Sequence, residues 1–140
     1  MNPTNHLSDP KAPIKATCHC GAITVTAPGH PKDAINECQC TICRRYGAAW
    51  AYYNTNEVAV SIKDGASMGK YSWGFKSASF DWCNGCGCLM FWWPLDVPVE
   101  RGGVEARMMG LNTRMVEPDA LRGVTRKVEY EDLFRPLPEK

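Results

Sequence analysis

The sequence predicts a mostly-β fold tied by metal, and three observations carry that reading. Short stretches of alternating apolar and small or polar residues recur along the chain, each stopped by Gly, Pro or Asn. Helical periodicity is scarce. The eight cysteines are clumped into "CHC", "CQCTIC" and "CNGCGC", each next to a candidate strand.

Residues 1–13, rich in Pro and Asn, read as an irregular lead-in, and 14–140 as one domain. "AITVTA" (Ala22–Ala27) has a β-branched alternation and ends at the turn "PGHP". "AAWAYYN" (Ala48–Asn54) is a second strand, small and aromatic. "VAVSI" (Val58–Ile62) alternates and stops at "KDG". "SASFDW" (Ser77–Trp82) runs straight into the last cysteine cluster, and "LMFWW" (Leu89–Trp93) leaves it and stops at Pro94. "GGVEARMMG" (Gly102–Gly110) is a further strand of mixed pattern. Helix is confined to one turn at Thr41–Tyr46 and to "EPDALRG" (Glu117–Gly123), bounded by Pro and Gly. The tail "LFRPLPEK" reads as an irregular strap.

Composition excludes several classes of function. A formal net charge of +1 creates no field that would draw nucleic acid or an anionic membrane. No apolar run approaches the ~18 residues of a membrane span. The first residues lack the charged-then-apolar layout of a secretion signal. Hydrophobic and charged fractions of 44% and 22% are those of an ordinary globular domain.

Eight cysteines in 140 residues fall below the roughly 8–10% of a disulfide scaffold, and no export signal supports one. Clumping suits a metal instead, because thiolates must converge on a sphere about 2.3 Å from the ion. A reducing, cytoplasmic setting follows. "CNGC" (Cys83–Cys86) has zinc-knuckle spacing, with Asn84 and Gly85 for the tight loop, and Gly21 lets the backbone turn sharply after Cys20. A four-thiolate site from Cys18, Cys20, Cys83 and Cys86 would clamp the first strand to the turn after "SASFDW"; spacing alone leaves other pairings open. Cys38, Cys40 and Cys43 remain. A structural zinc is closed by four protein ligands, whereas a catalytic zinc keeps three and an open place. The alternative is that Cys88 completes a second closed site.

At these residues the chain resembles the glutathione-dependent formaldehyde-activating enzymes, whose domain also occurs in centromere protein V. The resemblance rests on "CHCGAI" (Cys18–Ile23), "CQCTICRRYGAA" (Cys38–Ala49) and "DWCNGCGCLMFW" (Asp81–Trp92), three motifs in the family's order. It implies a β-tent fold of small antiparallel sheets tied by zinc. It assigns Cys18, Cys20, Cys83 and Cys86 to a structural zinc, and Cys38, Cys40 and Cys43 to a catalytic and labile one. The chain departs from the family at Cys88, where relatives commonly carry Ser or Thr, and at Gly110–Asn112, where many carry "GTLD".

The implied activity is that of a carbon–sulfur lyase joining glutathione, or a similar small thiol, to formaldehyde or a small aldehyde as an S-hydroxymethyl adduct. Three thiolates on a doubly charged ion blunt its Lewis acidity, so binding a soft thiolate suits the site better than hydrolysis. Arg44 and Arg45 either bind a tripeptide carboxylate or offset the cluster's charge. Trp50, Tyr52 and Tyr53 line a pocket or fill core, and Trp82, Trp92 and Trp93 shield the structural zinc. His19, between two ligands, points away from their ion; His6 and His30 carry no signal. The rival function is a non-catalytic zinc-stapled module with two closed four-cysteine sites.

Overall fold

Ten strands, one short α-helix and three 3-10 turns, one of them at Pro118–Leu121 within the helix expected over Glu117–Gly123, lie in residues 7–73, 77–96 and 107–130, which the computed structural model describes. In chain order the strands and the α-helix are β1 (Ile14–Thr17), β2 (Ile23–Ala27), β3 (Ile35–Cys38), α1 (Cys43–Tyr46), β4 (Trp50–Asn54), β5 (Ala59–Ile62), β6 (Met68–Tyr71), β7 (Ala78–Cys83), β8 (Leu89–Pro94), β9 (Met108–Asn112) and β10 (Arg126–Glu129). Strands β1, β2 and β5 form a three-stranded antiparallel sheet. The other seven form a larger sheet in the order β10-β3-β4-β9-β8-β7-β6. All its pairings are antiparallel except that of β10 with β3, which is parallel. The chain is thus mostly β with little helix, as its punctuated alternation predicts. No helix of the described residues is long and apolar enough to cross a membrane.

The alternation of side chains along each strand gives the large sheet two different faces. One face carries Ile35, Ala51, Tyr53, Phe91, Trp93, Met109 and Leu111. These pack with Ile14, Ala16, Ile23 and Val25 of the small sheet into the main core. Burying each large apolar side chain there contributes about 1.5–3 kcal/mol. The opposite face is set by register. Cys38 and Asn36 on β3 lie beside Glu129 and Lys127 on β10, Asn36 opposes Trp50, and Tyr52 opposes Gly110, which opposes Trp92. A second apolar cluster forms on this face from Trp50, Phe80, Leu89, Trp73 and the cysteines after β3.

Four strands escape the sequence reading: β1, β3, β6 and β10 are four residues each and stand in stretches without a clear alternation. Of the strand expected over 102–110, only residues 107–110 lie within the described residues, and β9 begins at Met108 and continues to Asn112. The expected strap at 133–140 and His6 lie outside them. Residues 7–13 hold no strand or helix, yet Ser8 is pinned: its N–H and its hydroxyl both donate to the Arg122 carbonyl, at 3.2 and 2.7 Å.

Gly110 is where the two strands of the site face press together. A Cβ built there would collide with the Trp92 indole, so only glycine lets that ring lie across β9. Gly110→Ala must push Trp92 aside, at a cost of about 1–3 kcal/mol in overpacking. Urea unfolding of the variant, followed by tryptophan fluorescence, will show a midpoint lowered accordingly with an unchanged slope.

Candidate active site and metal centres

All eight cysteines are unpaired thiols, and seven of them converge in two groups. Cys18, Cys20, Cys83 and Cys86 present their sulfurs within 4.8 Å of one another. Two turns bring them there. The Cys18–Gly21 turn closes with the Gly21 N–H on the Cys18 carbonyl at 3.0 Å, and Gly21 takes the left-handed φ of 83° that the sequence called for. In the "CNGCGC" turn the left-handed residue is Gly87, φ 79°, rather than Gly85. The Gly87 N–H reaches the Cys83 carbonyl at 2.7 Å. Sulfur separations of 3.6 Å (Cys18–Cys20) and 3.7 Å (Cys20–Cys83) are too long for a disulfide. They match the edge of about 3.8 Å of a tetrahedron whose centre lies about 2.3 Å from each sulfur, the zinc–thiolate length. The Ile23 and Gly85 N–H groups point at the Cys18 and Cys83 sulfurs, both at 3.3 Å, and donors aimed at sulfur favour the thiolate. This donor set fits zinc.

The second group, Cys38, Cys40 and Cys43, comes from one bend of chain: the end of β3, the four connecting residues 39–42, and the first residue of α1. All three are buried. The bend is held from four sides. Gln39 N–H donates to the Glu129 carbonyl of β10 at 2.7 Å, Cys43 N–H to the Cys40 sulfur at 3.4 Å, and Trp50 Nε1–H to the Cys43 sulfur at 3.3 Å. Gly47 ends α1 in the left-handed conformation, and its carbonyl accepts from Arg114 Nε at 3.1 Å. Charge is the difficulty here. Sharing of protons among the three sulfurs holds Cys40 low and, through Cys38 and Cys40, pushes Cys43 far above the ordinary thiol range. Three thiolates ionise together in so dry a place only around a cation. The soft, anionic donor set again suits zinc.

Among the described residues no fourth sulfur, imidazole or carboxylate joins this trio. Cys88, which would close the site in the rival arrangement, lies elsewhere. It borders one depression with Cys18 and His19, beside the four-thiol group. What borders the trio instead is a cavity of about 380 Å³, within the range of roughly 300–1,000 Å³ typical of small-molecule sites. Cys38 and Cys43 form part of its wall, with Trp50, Trp92 and Met108 as apolar sides and Asn36, Tyr52, Lys127 and Glu129 as polar ones. Tyr52 and Met108 also border a second depression of about 420 Å³ that carries Lys11 and Lys32.

The aromatic residues divide differently from the sequence expectation. Trp50 and Tyr52 belong to the cavity, while Tyr53 lies on the core face and donates its hydroxyl to the Gly29 carbonyl at 2.6 Å. Trp92 sits against Tyr52, ring centroids 6.2 Å apart, at the three-thiol group, so it does not shield the four-thiol one. Trp93 is in the main core against Phe91, and Trp82 lies over Gly69. Arg44 and Arg45 are exposed and line neither depression; Arg45 donates to the Thr41 carbonyl at 2.7 Å. His19 is exposed beside the four thiols, and His30 Nε2 donates to the Ala120 carbonyl at 3.0 Å.

Four residues at or behind the cavity have no role in the sequence reading. Asn36 stands on a four-residue strand with no periodic signal, and Glu129 and Lys127 reach it through a parallel pairing distant in sequence. Asn112 is buried at the end of β9 and ties three strands behind the trio. Its Nδ2 donates to the Leu89 carbonyl at 2.9 Å, and its Oδ1 accepts from the Ala49 N–H at 3.3 Å.

Comparison with known proteins gives one family match and one listed structural likeness. Residues 13–120 match the family model described as glutathione-dependent formaldehyde-activating enzyme. A crystal structure of a Rhodobacter sphaeroides protein superposes with a TM-score of 0.58 at 25% identity, covering 81% of this chain and 99% of that one. No curated protein matches.

Burial pushes the Tyr52 phenol up to about 12, with the Cys38 and Cys43 charges adding to the rise. A value raised in the folded state stabilises fully below the unfolded phenol's pKa of about 10 and is lost as the pH rises toward the folded value. Urea midpoints measured between pH 9 and 12 will therefore fall across that window, and fall less steeply in Tyr52→Phe.

Proposed function

Because the chain belongs to the glutathione-dependent formaldehyde-activating enzyme family, we propose that it is a zinc-dependent carbon–sulfur lyase. It joins glutathione, or a similar small thiol, to formaldehyde or a small aldehyde and cleaves the same adduct in reverse. The observation that carries this reading is the incomplete trio: Cys38, Cys40 and Cys43 converge without a fourth chain ligand among the described residues, and two of them wall a cavity. Those three cysteines would hold the catalytic ion, and Cys18, Cys20, Cys83 and Cys86 the structural one. When bound at the trio, zinc supplies a soft Lewis acid that keeps a substrate thiol ionised.

The chain's own residues do the rest. Trp50 and Trp92 give the sulfur–carbon contact an apolar wall, which strengthens the polar interactions there. Lys11 and Lys32 in the adjoining depression suit the carboxylates of a tripeptide thiol, a role that Arg44 and Arg45 are badly placed to take, while Lys127 at the cavity rim is paired with Glu129 at 3.5 Å. The closed-module alternative lacks support, since its required ligand, Cys88, is absent from the trio and lies beside Cys18 and His19 instead. Unpaired thiols throughout fit a reducing, cytoplasmic setting.

Two measurements test the proposal. Metal analysis should find two zinc ions per chain, one of them released first by a mild chelator. Cys43→Ser should lose that ion and the acceleration of glutathione–formaldehyde exchange, read by NMR, while keeping the far-UV circular dichroism of the parent. Cys83→Ser, by contrast, should fail to fold stably. An undiminished exchange rate in Cys43→Ser sinks the proposal. In the same assay Lys32→Ala should raise KM for glutathione roughly two- to fivefold, the size of an exposed ion pair, with kcat unchanged.

A further inference from the structure

We propose that Asn36 and Tyr52 together bind the substrate oxygen and select the hydroxymethyl adduct over an alkyl thioether, an inference that rests on the thiol–aldehyde reading above. Asn36 is only 2% exposed. Its Nδ2 group donates to the Tyr52 hydroxyl oxygen at 2.8 Å and to Glu129 Oε1 at 3.5 Å, and the carboxylate, which can only accept, sets the orientation of the amide. Its Oδ1 is buried with no hydrogen-bond partner among the described residues. A buried amide oxygen left in that state is destabilising, and a ligand donor would relieve it. The Tyr52 hydroxyl already accepts from Asn36, and among the described residues its own hydrogen has no acceptor. Both side chains border the cavity that Cys38 and Cys43 wall. Register puts them there: Asn36 precedes Cys38 by two residues on β3, and Tyr52 follows Trp50, the residue opposite Asn36, by two on β4.

The pair therefore offers one donor and one acceptor side by side. An aldehyde oxygen can only accept, so it uses the Tyr52 hydroxyl alone. In the condensation the sulfur electron pair forms the C–S bond and the carbonyl π pair moves onto oxygen. Oxygen then takes up the proton that the thiol lost, and nothing else is consumed. The resulting hydroxyl accepts from Tyr52 and donates to Asn36 Oδ1, satisfying both groups. A thioether without the hydroxyl leaves both unpaired in a dry pocket, the situation in which sites discriminate most strongly.

The test compares two ligands on the zinc-loaded protein: S-hydroxymethylglutathione, made in place from ¹³C-formaldehyde, and unreactive S-(¹³C-methyl)glutathione. Affinities are read from broadening of the labelled carbon signal. Wild type should prefer the hydroxymethyl ligand by about tenfold or more, the effect of two recovered hydrogen bonds. Tyr52→Phe, which keeps the ring against Trp92, should bring the ratio close to one without changing affinity for the methyl ligand, and should lower kcat while leaving KM for glutathione in place. Asn36→Ala should do the same if folded; Tyr52→Phe decides the matter if it is not. Equal affinity of wild type for both ligands, or an unchanged ratio in Tyr52→Phe, overturns the inference and leaves the thiol site standing. Failure of wild type to bind either ligand overturns the thiol–aldehyde reading itself.

Discussion

Sulfur atoms gathered this closely impose a condition on the whole molecule. Three buried thiols within 4.8 Å of one another cannot all shed their protons unless a cation takes up the charge, and the same holds for the four at the strand turns. Each turn that supplies a sulfur is shaped for that purpose, by Gly21 and Gly87 in one group and by the one-turn helix ending at Gly47 in the other. The four-thiol group joins the turn after β1 to the turn after β7, positions 63 residues apart in the case of Cys20 and Cys83. Removing that much chain freedom is worth about 4 kcal/mol on loop-closure grounds alone. A chain of 140 residues with strands of only four to six residues gains much from such a clamp.

The two groups serve different faces of the architecture. The four thiols sit at strand ends, where they fasten the small sheet to the large one. The three thiols lie on the face of the large sheet turned away from the main core. There alternation has placed Asn36, Trp50, Tyr52 and Trp92 in neighbouring rows. Behind them Asn112, Thr113 and Arg114 bond to the backbone of Gly47 and Ala49 and keep the bend against the sheet. The site is thus carried by sheet backbone, with one short bend supplying its sulfurs.

What the sequence made legible follows from how local each signal is. Turn chemistry is local, and Gly21 behaves as its position after Cys20 requires. Thiol spacing is local within a cluster, and the order of the clusters carries the family resemblance. The strands over Ile23–Ala27, Trp50–Asn54 and Leu89–Pro94 announce themselves by composition. Pairing across long separations is not local, so β10 and its Lys127 and Glu129 stayed invisible, as did the role of Asn36. The tryptophans went wrong for the same reason. Trp92 adjoins the last cysteine cluster in sequence, yet Gly110 on the next strand gives its ring room on the other site's face. Cys88 presents the converse case: geometry keeps it beside its sequence neighbours and away from the trio.

Because the residues that hold the chain together point one way from the large sheet and those that meet a ligand point the other, the two sets can diverge at different speeds. Exchanging Met108 or Lys127 alters what the hollow accepts without touching Phe91, Leu111 or the clamp between sheets. A lineage built on this plan is free to vary what its hollow admits while its scaffold stays put.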